Sequence, residues 1–226
     1  MKSILSAFIL CLVITLANAQ DFRPYYSNNI NFGVSYTHGQ TGQTTMRTSD
    51  DGMDFLGLQF NYIGLVHLTP KVAIGAGTGI RHMITIDDWD DWYGYDDLDF
   101  IRSYFSVPLY AHAQFRFLDR KVSPFLQTSL GYHIRVGESD INRGHGGENT
   151  VREVSSISSG LLAGLQAGVS IHVGSRFNIM AGPYFEYRKA TFDRAVMETS
   201  SWSTSASGFT TDLNLFEAGV KVGFTF

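Results

Sequence analysis

The stretch 213–226, LNLFEAGVKVGFTF, decides how the chain is read. Phe216, Ala218, Val220, Val222, Phe224 and Phe226 fall on one side of a period-two pattern, and Glu217, Gly219, Lys221, Gly223 and Thr225 fall on the other. Strict alternation is the mark of a β-strand with one apolar face and one small or polar face. Seven earlier segments repeat the pattern: 29–37, 55–68, 72–86, 101–117, 122–136, 157–173 and 177–188. In the second, for example, Leu56, Leu58, Phe60, Tyr62 and Val66 oppose Gln59, Asn61 and His67.

The connections alternate in length. Short turns follow the second, fourth and sixth segments, whereas 38–54, 87–100, 137–156 and 189–212 read as long polar loops. Eight strands with short turns at one rim and long loops at the other predict an all-β chain. The expected fold is an eight-stranded antiparallel up-and-down transmembrane β-barrel, with periplasmic turns and extracellular loops. Period two leaves open which face points inward. A soluble barrel would turn its apolar face in and carry Lys and Glu outside. Here the polar face is mostly Gly, Ser, Gln and Asn with a few long charged residues. That suits a cramped lumen, and every strand after the first is longer than the roughly 9–11 residues that cross a bilayer at a tilt. The apolar face is therefore expected to meet lipid. Pro108 and Pro183 each remove a ladder hydrogen bond inside a strand, so local bulges are expected there.

The N-terminus reads as a targeting segment. Lys2 precedes the apolar run 4–16, and Ala17-Asn18-Ala19 is a small-x-small cleavage pattern. The expected division is a signal peptide over 1–19 and a barrel over 20–226. Cleavage would remove Cys11, the one cysteine, so neither a disulfide nor thiol chemistry is expected. Segment 157–173 has Gly160, Gly164 and Gly168 at helix-dimer spacing, but a strand accounts for every polar position and a helix does not. With 17 Lys+Arg against 21 Asp+Glu and no basic stripe, nucleic acid is not an expected partner.

Two groups of residues are candidates for chemistry. Counting from the short-turn rim puts Arg81, His133, Glu186, Arg188, Glu217 and Lys221 in the middle of the lumen, with Tyr110, Gln166 and Tyr184. Glu186 and Glu217 sit on adjacent strands at similar height. They read either as a carboxylate pair for acid–base or ion-path work, or as an ionic network that fills the lumen. Arg81, Arg188 and Lys221 are near enough in register to neutralise them, which buried carboxylates require. The other group is the loop DDWDDWYGYDDLD. Asp87, Asp88, Asp90, Asp91, Asp96, Asp97 and Asp99 are candidate Ca²⁺ ligands, though without the spacing of an EF-hand. Trp89, Trp92, Tyr93 and Tyr95 beside them suit contact with a basic protein or a glycan. No cofactor is expected: Gly75-x-Gly77-x-Gly79 is not a dinucleotide fingerprint and opens no helix. Neither a GxSxG nor an HExxH motif is present, and no catalytic residue is assigned.

The closing strand on Phe226 resembles the C-terminal signature of bacterial outer-membrane barrels, which implies handling by their assembly machinery. The signal ending Ala17-Asn18-Ala19-Gln20, the fourth strand SYFSVPLYAHAQFRF (103–117) and Val122-Ser123-Pro124-Phe125 resemble the Bacteroidetes-type outer-membrane β-barrel ("porin family", PorT-like) proteins. The size is similar to that of OmpA- and OmpX-like eight-stranded barrels. The resemblance implies the outer membrane of a Gram-negative bacterium, with outer-membrane lipid as surroundings, and leaves activity open. The functional expectation is a non-enzymatic barrel presenting extracellular loops for binding, adhesion or envelope support. The alternatives are a narrow ion or small-solute channel and a lipid- or envelope-modifying barrel enzyme.

Overall fold

The computed structural model describes residues 22–41, 53–86, 103–136, 139–144, 150–174, 177–199 and 204–226. Both the proposed signal peptide and the acidic loop 87–99 lie outside them. The strands are β1 Tyr25–Thr41, β2 Met53–His67, β3 Val72–Thr85, β4 Ser103–Arg116 and β5 Val122–Val136. They continue with β6 Ser139–Gly144, β7 Thr150–Ile157, β8 Gly160–Val173, β9 Phe177–Thr199 and β10 Thr204–Thr225. Eight of them, β1–β5 and β8–β10, form the wall, each antiparallel to the next. β10 then pairs back onto β1, from Asn29↔Thr225 to Thr41↔Leu213. The sheet is closed. Asn28 and Phe226 exchange backbone hydrogen bonds of 2.8 and 2.9 Å, which seals the seam at the short-turn rim.

The wall is apolar outside and polar inside. Phe32, Leu58, Leu130, Phe185 and Val220 are exposed, at 52–68%. Asn29, Asn31, Gln59, Gln127 and Glu217 are buried. Water would favour the opposite arrangement, so the outer belt is a surface for hydrocarbon. Tyr25, Tyr26, Phe117, Phe177 and Phe226 are exposed near the short-turn rim, where amphipathic and aromatic rings mark a lipid–water interface.

The long connections differ from the sequence reading. Segment 189–212 was expected as a loop, but β9 runs 23 residues and β10 runs 22. They stay paired up to Thr199↔Thr204. Segment 137–156 was also expected as a loop, yet β6 and β7 pair as a hairpin, and β7 lies along β9 from Ile157↔Phe192 to Thr150↔Thr199. A four-stranded sheet, β6-β7-β9-β10, thus continues above the wall. Its Ser, Thr and Gly content hides it, because polar residues on both faces leave no period-two contrast. The β-branched threonines fit a strand nonetheless.

A bulge separates this sheet from the wall, and it is not at a proline. Along β9, Ile157 pairs with Phe192 and Leu162 with Arg188, so one extra residue stands on the β7–β8 side. Ser158 N–H donates to the Thr191 carbonyl at 2.8 Å, and Thr191 N–H donates to Ser158 Oγ at 2.8 Å. Arg135 N–H donates to Ser159 Oγ at 3.0 Å. Two hydroxyls thereby replace lost ladder partners. The extra residue reverses parity, so Ile157 points inward and is buried, contrary to its place in the sequence pattern. At Pro108 and Pro183 no bulge forms. Pairing stops at Thr78↔Leu109 and resumes at Arg81↔Ser106, and likewise from Gln166↔Tyr184 to Val169↔Ala181, with equal spacing on both strands. Each missing N–H costs ladder bonds but leaves the register intact.

Val220 lies mid-belt on β10, facing outward. Val220→Arg is expected to lower stability by about 2–4 kcal/mol in urea titration of protein folded into lipid vesicles. An unaltered titration would contradict lipid contact at this face.

Candidate functional site: the filled lumen

The register of β9 on β10 sets Glu186 directly opposite Glu217. Like charges in this position repel, and the carboxylates are only 5% and 0% exposed. Two guanidiniums resolve the conflict. Arg81 reaches across from β3 and donates to both oxygens of Glu186, through Nη1 to Oε1 and through Nη2 to Oε2 at 2.9 Å. Its Nη1 is also 3.4 Å from Glu217 Oε2. Arg188, two residues along β9 from Glu186, donates through Nη2 to Glu217 Oε2 at 2.7 Å, and its Nε is 3.5 Å from Glu186 Oε1. Each arginine touches both glutamates. Bidentate and charge-assisted contacts of this kind offset much of the desolvation cost.

Neutral donors complete the set. Tyr184 Oη donates to Glu217 Oε1. Gln59 Nε2 donates to Tyr184 Oη and, at 3.2 Å, to Glu217 Oε1. Arg81 Nη2 donates to Gln59 Oε1 at 3.2 Å.

Above the ionic layer an apolar cluster fills much of the lumen, with Thr37, Ser106, His133 and Thr211 buried beside it. Phe55, Met83, Tyr104, Ile157, Phe192, Leu213 and Leu215 form one buried cluster at the extracellular end. The sequence carries the signal for it: Phe55 shares parity with Gln59, Met83 with Arg81, and Leu213 and Leu215 with Glu217. The inward face thus turns largely apolar toward the long-loop end. Below the ionic layer, Ile63, Leu65 and Ala73 pack together with Tyr110 beside them. The Tyr110 ring fits because its partners on both neighbouring strands are glycines, Gly77 and Gly131. A Cβ on Gly77 would come 2.5 Å from the ring, and one on Gly131 would lie 2.6 Å from Tyr110 Cβ. A cavity of about 20 Å³ remains here, bounded in part by Asn31, Asn61, Gln166 and Lys221. It has room for about one water. Further down, Gln127 Nε2 donates to Gln114 Oε1 at 3.1 Å and Asn29 Nδ2 to Thr225 Oγ1 at 2.8 Å. At the rim Arg116 Nη1 lies 2.9 Å from His172 Nε2, and Arg116 Nη2 donates to the Pro70 carbonyl at 2.8 Å.

Arg81, Glu186, Arg188 and Glu217 therefore meet as one quartet, but two other lumen candidates do not join it. Lys221 makes no ion pair with either carboxylate; its Nζ lies over the Tyr184 ring, 3.8 Å from the centroid. His133 faces the apolar cap, with Nδ1 3.0 Å from Tyr104 Oη. The acidic loop residues Asp87, Asp88, Asp90, Asp91, Asp96, Asp97 and Asp99, and the aromatics Trp89, Trp92, Tyr93 and Tyr95, lie outside the described residues. Among the described residues no group of three His, Cys, Asp or Glu side chains is placed to hold a metal. Sequence reading missed a His–Asp pair: His38 Nδ1 is 2.8 Å from Asp54 Oδ1, half-exposed on the outer face near the extracellular rim.

No family model matches the chain, and no curated protein does either. Solved structures do. The outer membrane protein OprG from Pseudomonas aeruginosa aligns over 88% of this chain and 96% of its own, at 9% identity and a TM-score of 0.52. AlkL, an outer membrane protein, aligns over 89% of each chain at 13% identity and a TM-score of 0.47. Neisserial surface protein A covers 88% and 98%, at 12% identity and 0.43. The OprG likeness is one of fold. The fold is thus that of Gram-negative outer-membrane barrels. The lipid-facing belt gives this closed eight-stranded barrel the same location, the outer membrane.

Glu217→Gln is expected to cost about 3–5 kcal/mol, since it leaves two buried arginines sharing one carboxylate. Arg188→Met combined with Glu217→Leu removes one charge of each sign and should recover most of that loss. Equilibrium unfolding of the single and double variants checks both. Equal losses would show that charge balance is not what the quartet supplies.

Proposed function

We propose that this outer-membrane barrel is a non-enzymatic anchor that holds an extracellular sheet and loops for binding, adhesion or envelope support. One observation carries the reading: the lumen is filled while the wall continues outward. Side chains close it at the ionic quartet and again at the apolar cap. Above that cap β9 and β10 remain paired to Thr199↔Thr204, with β7 and β6 alongside. A strand pair rooted in a closed wall is a stiff stalk, so a partner loses little conformational freedom on that side when it binds. β3 ends at the same rim, and an extracellular protein or glycan is the ligand class that the Trp, Tyr and Asp content of the sequence 87–99 suits. Lipid surrounds the belt, and the closing strand ending at Phe226 serves recognition by the assembly machinery. We read the chain as a Bacteroidetes-type porin-family barrel, on the motifs of its fourth and fifth strands.

The non-enzymatic reading rests on the roles open to the described side chains. The buried carboxylates of the quartet are already occupied by arginines. The His38 imidazole bonds Asp54 and no hydroxyl among the described residues, while His67 and His112 bond Ser27 and Ser129 but have no carboxylate or other partner on the second ring nitrogen.

The test replaces residues 194–209 by an Asn-Gly turn, which suits a two-residue hairpin. The barrel should still fold, seen as heat-modifiable migration on gels. Cells carrying it should lose adherence to glycan and matrix-protein surfaces that the full-length barrel supports. Undiminished adherence would overturn the role given to the sheet. Planar bilayers containing the full-length protein should stay silent, whereas steady conductance abolished by Glu217→Gln would establish the channel instead.

A further inference from the structure

The charges of the lumen do not cancel. Arg81, Arg188, Glu186 and Glu217 are neutral as a set, with two guanidiniums on two carboxylates. Lys221 is left over. It projects inward from β10 between Gly33 of β1 and Gly182 of β9, so neither neighbouring strand sets a side chain beside it. Among the described residues its ammonium rests on the Tyr184 ring and pairs with no carboxylate. A buried cation that no carboxylate pairs with is costly to desolvate, and a ring face offsets a fraction of that.

Lys221 borders the cavity of about 20 Å³ below the quartet. The same cavity is lined by Asn31, Asn61, Tyr110, Gln127 and Gln166, whose amide N–H and phenolic O–H groups are hydrogen-bond donors. Asn61 spends one amide N–H on Gln59 Oε1, which leaves a second, whereas Gln127 Nε2 already donates to Gln114 Oε1 and to Met180 Sδ. His112 also lines it, only 6% exposed, with Nδ1 3.0 Å from Ser129 Oγ and no partner on Nε2. Glu186 is the one carboxylate in the lining, and Arg81 holds both of its oxygens.

We propose that this cavity binds one small monatomic anion of the halide class, held by the Lys221 ammonium and the surrounding amide and hydroxyl donors. The volume matches about one water-sized sphere, which excludes phosphate, acetate and other polyatomic anions. The quartet and the apolar cap close the site from above. The ion therefore enters during folding or from the periplasmic end. Bound there, it lowers the cost of Lys221 and stabilises the native barrel by mass action.

Two measurements decide the matter. Wild-type protein folded and crystallised in sodium bromide should show an anomalous peak within hydrogen-bonding distance of Lys221 Nζ. Lys221→Met, verified as folded by heat-modifiable migration, should lose the peak. No peak in the wild type, or one of equal height in K221M, overturns the proposal. The second needs no variant. Thermal unfolding of the wild type at matched ionic strength should show a higher midpoint in chloride than in gluconate, with the gain saturating as chloride rises. Identical midpoints would also overturn it.

Discussion

Hydrocarbon offers no partner to a peptide N–H or C=O, and this constraint governs everything else in the molecule. A sheet in lipid must close. β10 therefore pairs with β1 along its length, and Asn28 bonds Phe226 across the seam. Closure brings both ends of the wall to one rim and leaves its connections alternating between rims. It also encloses every second side chain in a bore whose width is set by strand number and tilt. The outward residues then need only be apolar, whereas the inward ones must fit one another.

That fitting is where the chemistry lies. The β9–β10 register places two glutamates face to face, and the arginines of β3 and β9 are what make it tolerable. The quartet ties β3, β9 and β10 across the lumen, and Gln59 adds β2. β9 and β10 also carry the sheet beyond the membrane. The root of the exposed sheet is thus clamped by the charge-assisted quartet and by the apolar cap above it. A wall so filled is a support. Its capacity for contact is displaced to the strands and loops that leave it.

The alternation in 122–136 matches β5 residue for residue, and the inward parity of Arg81, Glu186, Arg188 and Glu217 follows from the same pattern. Other features were hidden for identifiable reasons. Ile157 turns inward because Ser158 and Ser159 insert a bulge, and nothing local in that sequence announces the reversal. The prolines announce a bulge that the register does not contain. β6, β7 and the upper halves of β9 and β10 are strands because other strands lie beside them, a non-local cause that composition does not record. Lys221 shows the finer limit. Its height was legible, but the Tyr184 ring, and not a carboxylate, receives it.

By itself the sequence determined the number of strands in the wall, their parity and which residue types would share the interior. These depend on a two-residue period that backbone geometry imposes locally. Only the tertiary structure decided who pairs with whom: Arg81 bridging to Glu186, Lys221 left without a carboxylate, and the apolar cap closing over both. Such contacts join strands far apart in the chain, and closure of the barrel sets their distances.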